Sequence, residues 1–92
     1  MKTAKQLERH FKGAANYRRI EILLLISKHK NISLEDIAEI LKWNIKTISE
    51  HTVRLTQSGL LDKVYFGRRV GHSLSPYGKK FISFMKSLGG ER

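Results

Sequence analysis

The chain has 92 residues and no cysteine, and its 18 Lys plus Arg outnumber 8 Asp plus Glu for a net charge of +10. That length fits one domain with a shallow core, built from the 40% of residues that are apolar. Lack of cysteine excludes disulfide staples, Cys-ligated zinc and thiol catalysis. The charge excess repels itself within a fold but favours a polyanionic partner, nucleic acid first and an anionic membrane surface second.

Met1-Lys2-Thr3-Ala4-Lys5 leads into charged residues and not into an apolar signal core. The longest apolar run, Ile22 to Ile26, is far short of the roughly 20 residues of a membrane span. A soluble, cytoplasmic protein is expected. Leu7 and Phe11, one turn apart among polar residues, predict a short first helix ending near Gly13. From Asn16 the pattern strengthens: Ile20, Ile22, Leu23, Leu24, Leu25 and Ile26 make a helix apolar over most of its circumference. Such a helix belongs at the centre of a domain, and this one is expected to stop near Lys30-Asn31.

Ser33, followed three residues later by Asp36, resembles a capping box. Leu34, Ile37, Ala38 and Leu41 then recur with the period of a one-sided helix, ending around Lys42-Trp43. Asn44 is a good N-cap for another helix, in which Ile48, Thr52 and Leu55 line one side with Ile45 at the edge. Gly59 is placed to end it in a left-handed turn. Val64, Tyr65 and Phe66 favour strand within Leu61 to Phe66; Gly67-Arg68-Arg69-Val70-Gly71 reads as the turn, and His72 to Leu74 as the return strand. Ser75-Pro76 signals a cap and first helical position. Phe81, Phe84, Met85 and Leu88 make the last helix amphipathic, and Gly89-Gly90 end it. The expected fold is mainly α with a small β-hairpin, in the order α-α-α-α-β-β-α.

Two short helices joined through Trp43-Asn44-Ile45 and followed by a hairpin are the parts of a winged helix-turn-helix. The helix-turn-helix spans about 33–58, the wing about 61–75, and terminal helices about 4–12 and 76–88 serve as dimer elements. The second helix projects Lys46, Glu50, Val53, Arg54 and Gln57 away from its apolar side, with Thr47 and Ser49 near its start. Residues early in such a helix reach deepest into a major groove. Lys can donate to guanine, Ser and Thr can bond either base type, and Glu can accept from cytosine N4. Arg54, further along, is placed for a phosphate.

Several stretches carry a family resemblance. Ala15-Asn16-Tyr17-Arg18-Arg19-Ile20-Glu21-Ile22-Leu23, Asn44 to His51, Ser58-Gly59-Leu60-Leu61 and Phe66-Gly67-Arg68-Arg69-Val70 resemble, in order, motifs of the ArsR-type bacterial and archaeal repressors. Leu74-Ser75-Pro76-Tyr77-Gly78-Lys79 is similar to the start of the last helix that MarR-type regulators share. The resemblance runs from Phe11 to Leu88. It implies a dimer built from the first and last helices, with two reading helices in successive major grooves. It also implies that Ile45, Lys46, Thr47, Ser49 and Glu50 face bases, and that the wing touches backbone or minor groove. This chain departs from the family in having Ile45 where a polar residue is usual and Glu50 where His is usual. An acid there repels phosphate unless it meets a cytosine amino group or pairs with Lys46 or Arg54.

The candidate DNA contacts are therefore Asn44, Ile45, Lys46, Thr47, Ser49, Glu50 and Arg54 on the helix and Arg68 and Arg69 on the wing. The candidate dimer seam is Leu7, Phe11, Phe81, Phe84, Met85 and Leu88. Tyr17, Trp43, Tyr65 and Tyr77 are dispersed beside core positions and read as packing residues, not as a stacking platform for single strands. No metal or cofactor is expected: the family's thiolate site needs Cys, its other common site needs His and acids that Pro76 to Leu88 lacks, and His10, His29, His51 and His72 have no ligand spacing. No catalytic constellation or phosphate loop is visible. The function expected is a sequence-specific, dimeric regulator of transcription, a repressor on double-stranded DNA at the prokaryotic nucleoid. A nonspecific DNA-coating protein is the alternative, and a winged helix turned to protein interaction is a second one.

Overall fold

The computed structural model describes residues 1–89. Helix α1 (Ala4–Ala14) leads to α2 (Tyr17–Lys28), a short β1 (Ile32–Ser33), α3 (Leu34–Leu41), α4 (Ile45–Gln57), the hairpin β2 (Leu61–Phe66) and β3 (Arg69–Leu74), and α5 (Pro76–Gly89). This is a winged helix-turn-helix. Gly90, expected as a terminator of the last helix, lies outside the described residues.

The caps follow from the side chains available at each helix start. Asn16 accepts from the amides of Arg18 and Arg19 at 2.9 and 3.2 Å. Ser33 accepts from the Asp36 amide at 3.1 Å, and Ser75 from the Gly78 amide at 3.0 Å. The full capping box is found on α1, between Thr3 and Gln6. At Ser33 only the forward half of the box forms, because the Asp36 carboxylate turns to the wing, 4.0 Å from Arg69.

Ile22, Leu23, Ile37, Ile48, Leu55, Leu60 and Leu61 are all fully buried. Each such side chain contributes on the order of 1.5–3 kcal/mol through removal from water. Three of α2's apolar residues, Ile22, Leu23 and Ile26, supply the middle of this core, and α2 packs on α1, α4, α5 and β3. Its all-round apolar character is thus explained by its central seat. Residues of α1 hold the end of α4: Arg9 donates to the Gln57 carbonyl at 2.9 and 2.6 Å, and His10 Nδ1 donates to the Ser58 carbonyl at 2.6 Å. Gly59 takes the expected left-handed conformation, φ +83°.

Two expectations about the strands are corrected. Ile32 and Ser33 are not merely a lead-in to α3. They pair antiparallel with His72 and Gly71, so the wing is a three-stranded sheet in the order β1-β3-β2. A pair of residues is too short to show a period, and the approach depends on Gly71, where any Cβ would collide with the Asn31 carbonyl. The turn is also tighter than the five residues expected. Phe66 pairs with Arg69, leaving Gly67-Arg68 as a two-residue loop. Gly67 at φ +61° supplies the positive torsion that such a turn requires at its first position. Arg69, Val70 and Gly71 are strand residues.

His72 ties β3 to β1, with Nδ1 donating to the Ile32 carbonyl at 3.2 Å. Burial holds its pKa below the ordinary histidine value; Lys63 adds to this, while the Ile32 bond and Glu35 oppose it. The unfolded chain therefore binds a proton below about pH 6.5 that the folded chain does not yet take up, and stability falls as pH drops through that value. Urea unfolding at about pH 7.5 and 5.5 is expected to show this loss. His72→Asn retains an Nδ1-like donor but cannot titrate, so it is expected to flatten the dependence. An unchanged slope in that variant would contradict the assignment.

Candidate nucleic-acid interface

The interface candidate is set by how α4 is seated. Asn44 caps it, accepting from the amides of Lys46 at 2.8 Å and Thr47 at 3.3 Å. Ile48, Thr52 and Leu55 are buried against the body. The opposite side is therefore forced outward, and Ile45, Lys46, Glu50, Val53, Arg54 and Gln57 are exposed, with Thr47 and Ser49 half-buried at the flanks. A 13-residue helix is about 20 Å long, and one helix fits a major groove about 12 Å wide. Asn44's oxygen is occupied by the cap, so any contact it makes outside the protein falls to its amide NH2.

On one side of α4 lies the wing. A cleft of about 560 Å³ separates them, lined among others by Glu35, Asp36, Ser49, Val53, Arg68 and Arg69. Ser49 thus faces the wing side. Arg68 stands exposed at the turn tip and has no ion-pair partner among the described residues. Arg69 is also exposed, but its guanidinium leans toward Asp36. Such a surface pair is worth about 0–1 kcal/mol and is readily exchanged for another anion.

The other side of α4 holds a group that spacing along the chain did not disclose. The Arg18 guanidinium lies 4.7 Å over the Trp43 ring. Arg19 Nε donates to His51 Nδ1 at 3.2 Å, and its Nη1 donates to the Gly13 carbonyl at 3.2 Å and the Lys12 carbonyl at 3.4 Å. Burial, then Arg19 and Arg18, lower the His51 pKa; Arg54 adds to this and Glu50 opposes it. Glu50 has no cation within 4.0 Å among the described residues, so the pairing with Lys46 or Arg54 considered from sequence does not form here. Of the aromatics, Trp43 packs against the core as expected, but Tyr17 and Tyr65 are each 68% exposed and are not packing residues.

The terminal-helix stripe divides. Phe81 and Met85 lean on the core, whereas Phe11, Phe84 and Leu88 are 53%, 50% and 70% exposed and Leu7 is also open. Phe11 and Phe81 rings stand 5.1 Å apart, in an apolar groove of about 500 Å³ between α1 and α5. Among the described residues no three His, Asp or Glu side chains group as a metal site, and no helix is long and apolar enough to cross a membrane.

Residues 16–62 match the sequence profile of a family described as winged helix-turn-helix DNA-binding. No curated protein matches the sequence. Among solved structures, the chain is similar to HlyU from Vibrio cholerae, with 23% identity, TM-score 0.83 and 94% of each chain covered. It is also similar to the homodimeric winged helix-turn-helix DNA-binding domain Mb0332 from Mycobacterium bovis, described as a possible ArsR-family transcriptional regulator. There the identity is 25% and the TM-score 0.82, covering 91% of this chain and 78% of that one. An ArsR-like transcriptional regulator from Rhodococcus gives 21% identity and TM-score 0.75, with 94% of this chain and 80% of the other covered. The likeness to ArsR-type regulators read from the motifs holds at the level of the fold.

The seat of α4 yields a direct test. Asn44→Ala removes the cap and is expected to lower unfolding free energy by about 1 kcal/mol, while Asn44→Asp, which retains the acceptor, loses less than half of that. Chemical denaturation of the two variants measures it. Equal stabilities would show that the cap contributes nothing.

Proposed function

The chain belongs to the winged helix-turn-helix DNA-binding family, and from that premise we propose that it is a sequence-specific regulator of transcription that binds double-stranded DNA as a homodimer and represses by occluding a promoter. The observation that carries this reading is the exposed Lys46–Arg54 face of α4 beside an exposed Arg68 at the wing tip, on a chain of net charge +10.

In this reading α4 enters the major groove. Lys46 and Thr47, in its first turn, meet base edges first, with Ile45 offering an apolar contact to a thymine methyl. Ser49 and Glu50 follow, and Glu50 finds its partner in a cytosine amino group because no cation among the described residues lies within 4.0 Å of it. Arg54 holds a phosphate. Arg68 reaches the backbone or minor groove, and Arg69 exchanges Asp36 for a phosphate. Most of the affinity is electrostatic, and specificity arises at the bases. Acting on DNA places the protein in the cytoplasm, at the nucleoid.

The homodimer is supported by the exposed Phe11, Phe84 and Leu88 along α1 and α5 and by the homodimeric state of the Mycobacterium bovis domain. A two-fold axis through that seam would present two copies of α4 on one face of a duplex. Their separation would be about 34 Å, one helical turn.

The charge excess alone also favours a nonspecific coating protein, and the same experiment separates the two. Selection from a pool of randomised duplexes is expected to enrich a palindromic site with half-sites about 10 base pairs apart, and affinity for it is expected to fall roughly a thousandfold between about 50 and 200 mM salt if some six phosphates are contacted. Uniform affinity for every duplex would support coating. Binding to none would end the DNA reading.

A further inference from the structure

A helix lying in a major groove has a phosphate strand on each side of it. The wing answers for one side of α4. On the other, we propose that Arg18 and His51 form a second phosphate-contact site, in which Arg18 supplies charge and His51 supplies a neutral Nε2–H donor whose tautomer Arg19 fixes. This rests on the DNA-binding reading above and adds to it the course of the second strand.

Arg18 is prepared for an anion. Its guanidinium is stacked 4.7 Å over Trp43 and 5.8 Å from the Tyr17 ring. It has no carboxylate within 4.0 Å among the described residues. Trp43 immediately precedes the Asn44 cap, so the stack fixes Arg18 relative to the start of α4. A stacked guanidinium retains its edge donors for a phosphate.

The state of His51 is dictated by its neighbour. Arg19 has no acceptor of its own and can only donate. It is anchored by the Lys12 and Gly13 carbonyls, and its Nε–H points at His51 Nδ1. Nδ1 must therefore carry a lone pair, which leaves the proton on Nε2. His51 Nε2 has no partner among the described residues, and it is not among their buried unpartnered atoms, so it reaches solvent. Both Arg18 and Arg54 stand close enough to act on the imidazole electrostatically, with Arg19 doing the same and Glu50 the one opposing charge. Partial burial and these cations lower the pKa of the ring and so favour its neutral form. On the helix, His51 shares a flank with Thr47 and Arg54, away from Ser49 and Val53, which line the wing cleft. That cleft carries Glu35 and Asp36 beside Lys63, Arg68 and Arg69, whereas Arg18 has no carboxylate within 4.0 Å among the described residues.

The two residues are expected to leave different marks. Arg18 replaces a counterion and His51 does not. The probe is a fluorescent duplex of about 24 base pairs and arbitrary sequence, long enough for two half-sites one turn apart, titrated with the full chain over a range of salt. Arg18→Gln is expected to weaken binding and to reduce the logarithmic salt slope by about 0.9 for each phosphate no longer neutralised. His51→Asn, whose amide reaches only the Nδ1 position, is expected to weaken binding about threefold to tenfold with the slope unchanged. His51→Gln, whose amide occupies the Nε2 position, is expected to restore it to within about twofold. Thermal unfolding of each variant shows that the fold is retained. Independently, long-range proton–nitrogen NMR of the free protein is expected to show His51 protonated at Nε2 alone near neutral pH. An Nδ1–H or doubly protonated ring overturns the proposal, as does wild-type affinity and slope in Arg18→Gln and His51→Asn while the parent protein binds. A parent protein that binds no duplex overturns the DNA reading itself.

Discussion

The structure depends on the burial of one side of α4. Ile48 and Leu55 are fully excluded from solvent together with Ile22 and Leu23 of α2. Deleting either side chain would cost about 2–5 kcal/mol, a large part of the stability available to so small a domain. This leaves α4 no freedom to rotate. Because the inner side is fixed, the outer one is fixed as well, and Lys46, Glu50 and Arg54 face solvent. The neighbours reinforce the seat at both ends, through the Asn44 cap at the start and the Arg9 and His10 bonds to the Gln57 and Ser58 carbonyls at the finish. A rigid helix carrying an exposed polar face loses little further entropy on binding.

The charge is distributed as unevenly as it is abundant. The start of α3 carries Glu35 and Asp36, and Asp36 meets the wing through Arg69. Arg18 and Arg19 gather on the opposite side of α4, around Trp43 and His51. Arg19 is held by backbone carbonyls and Arg18 by a stack that leaves its edge donors open, whereas Lys46, Arg54 and Arg68 have no ion-pair partner among the described residues. Arg19 thus organises the interface, and the other four are available to neutralise a partner. This division also explains how a small chain tolerates its net charge, since part of the excess is answered within the fold by π faces and carbonyl oxygens.

Most of the architecture was legible in the sequence because it is written locally. The period of Leu34, Ile37, Ala38 and Leu41, the caps at Ser33, Asn44 and Ser75, and the glycines at 59 and 67 each act within a few residues of their own position. What the sequence did not disclose is nonlocal. Strand β1 exists because Gly71 admits the Asn31 backbone, a contact between residues far apart in the chain. The Arg19–His51 bond joins α2 to α4 and has no local signature, although a Trp directly before a helix cap was a hint that something stacks there. Tyr17 and Tyr65 misled because residues adjacent to core positions can project either way. The Asp36 carboxylate left its capping role for a long-range partner, which no local pattern could announce.

The central claim is that the outer side of α4, with the wing tip beside it, is the surface that meets DNA. Amide chemical-shift mapping tests it most directly, with 15N-labelled protein titrated by a duplex. The largest changes are expected between Lys46 and Arg54 and at Gly67-Arg68, with α3 between them only weakly affected. Changes concentrated along α1 and α5, with α4 and the wing left unperturbed, would contradict the account.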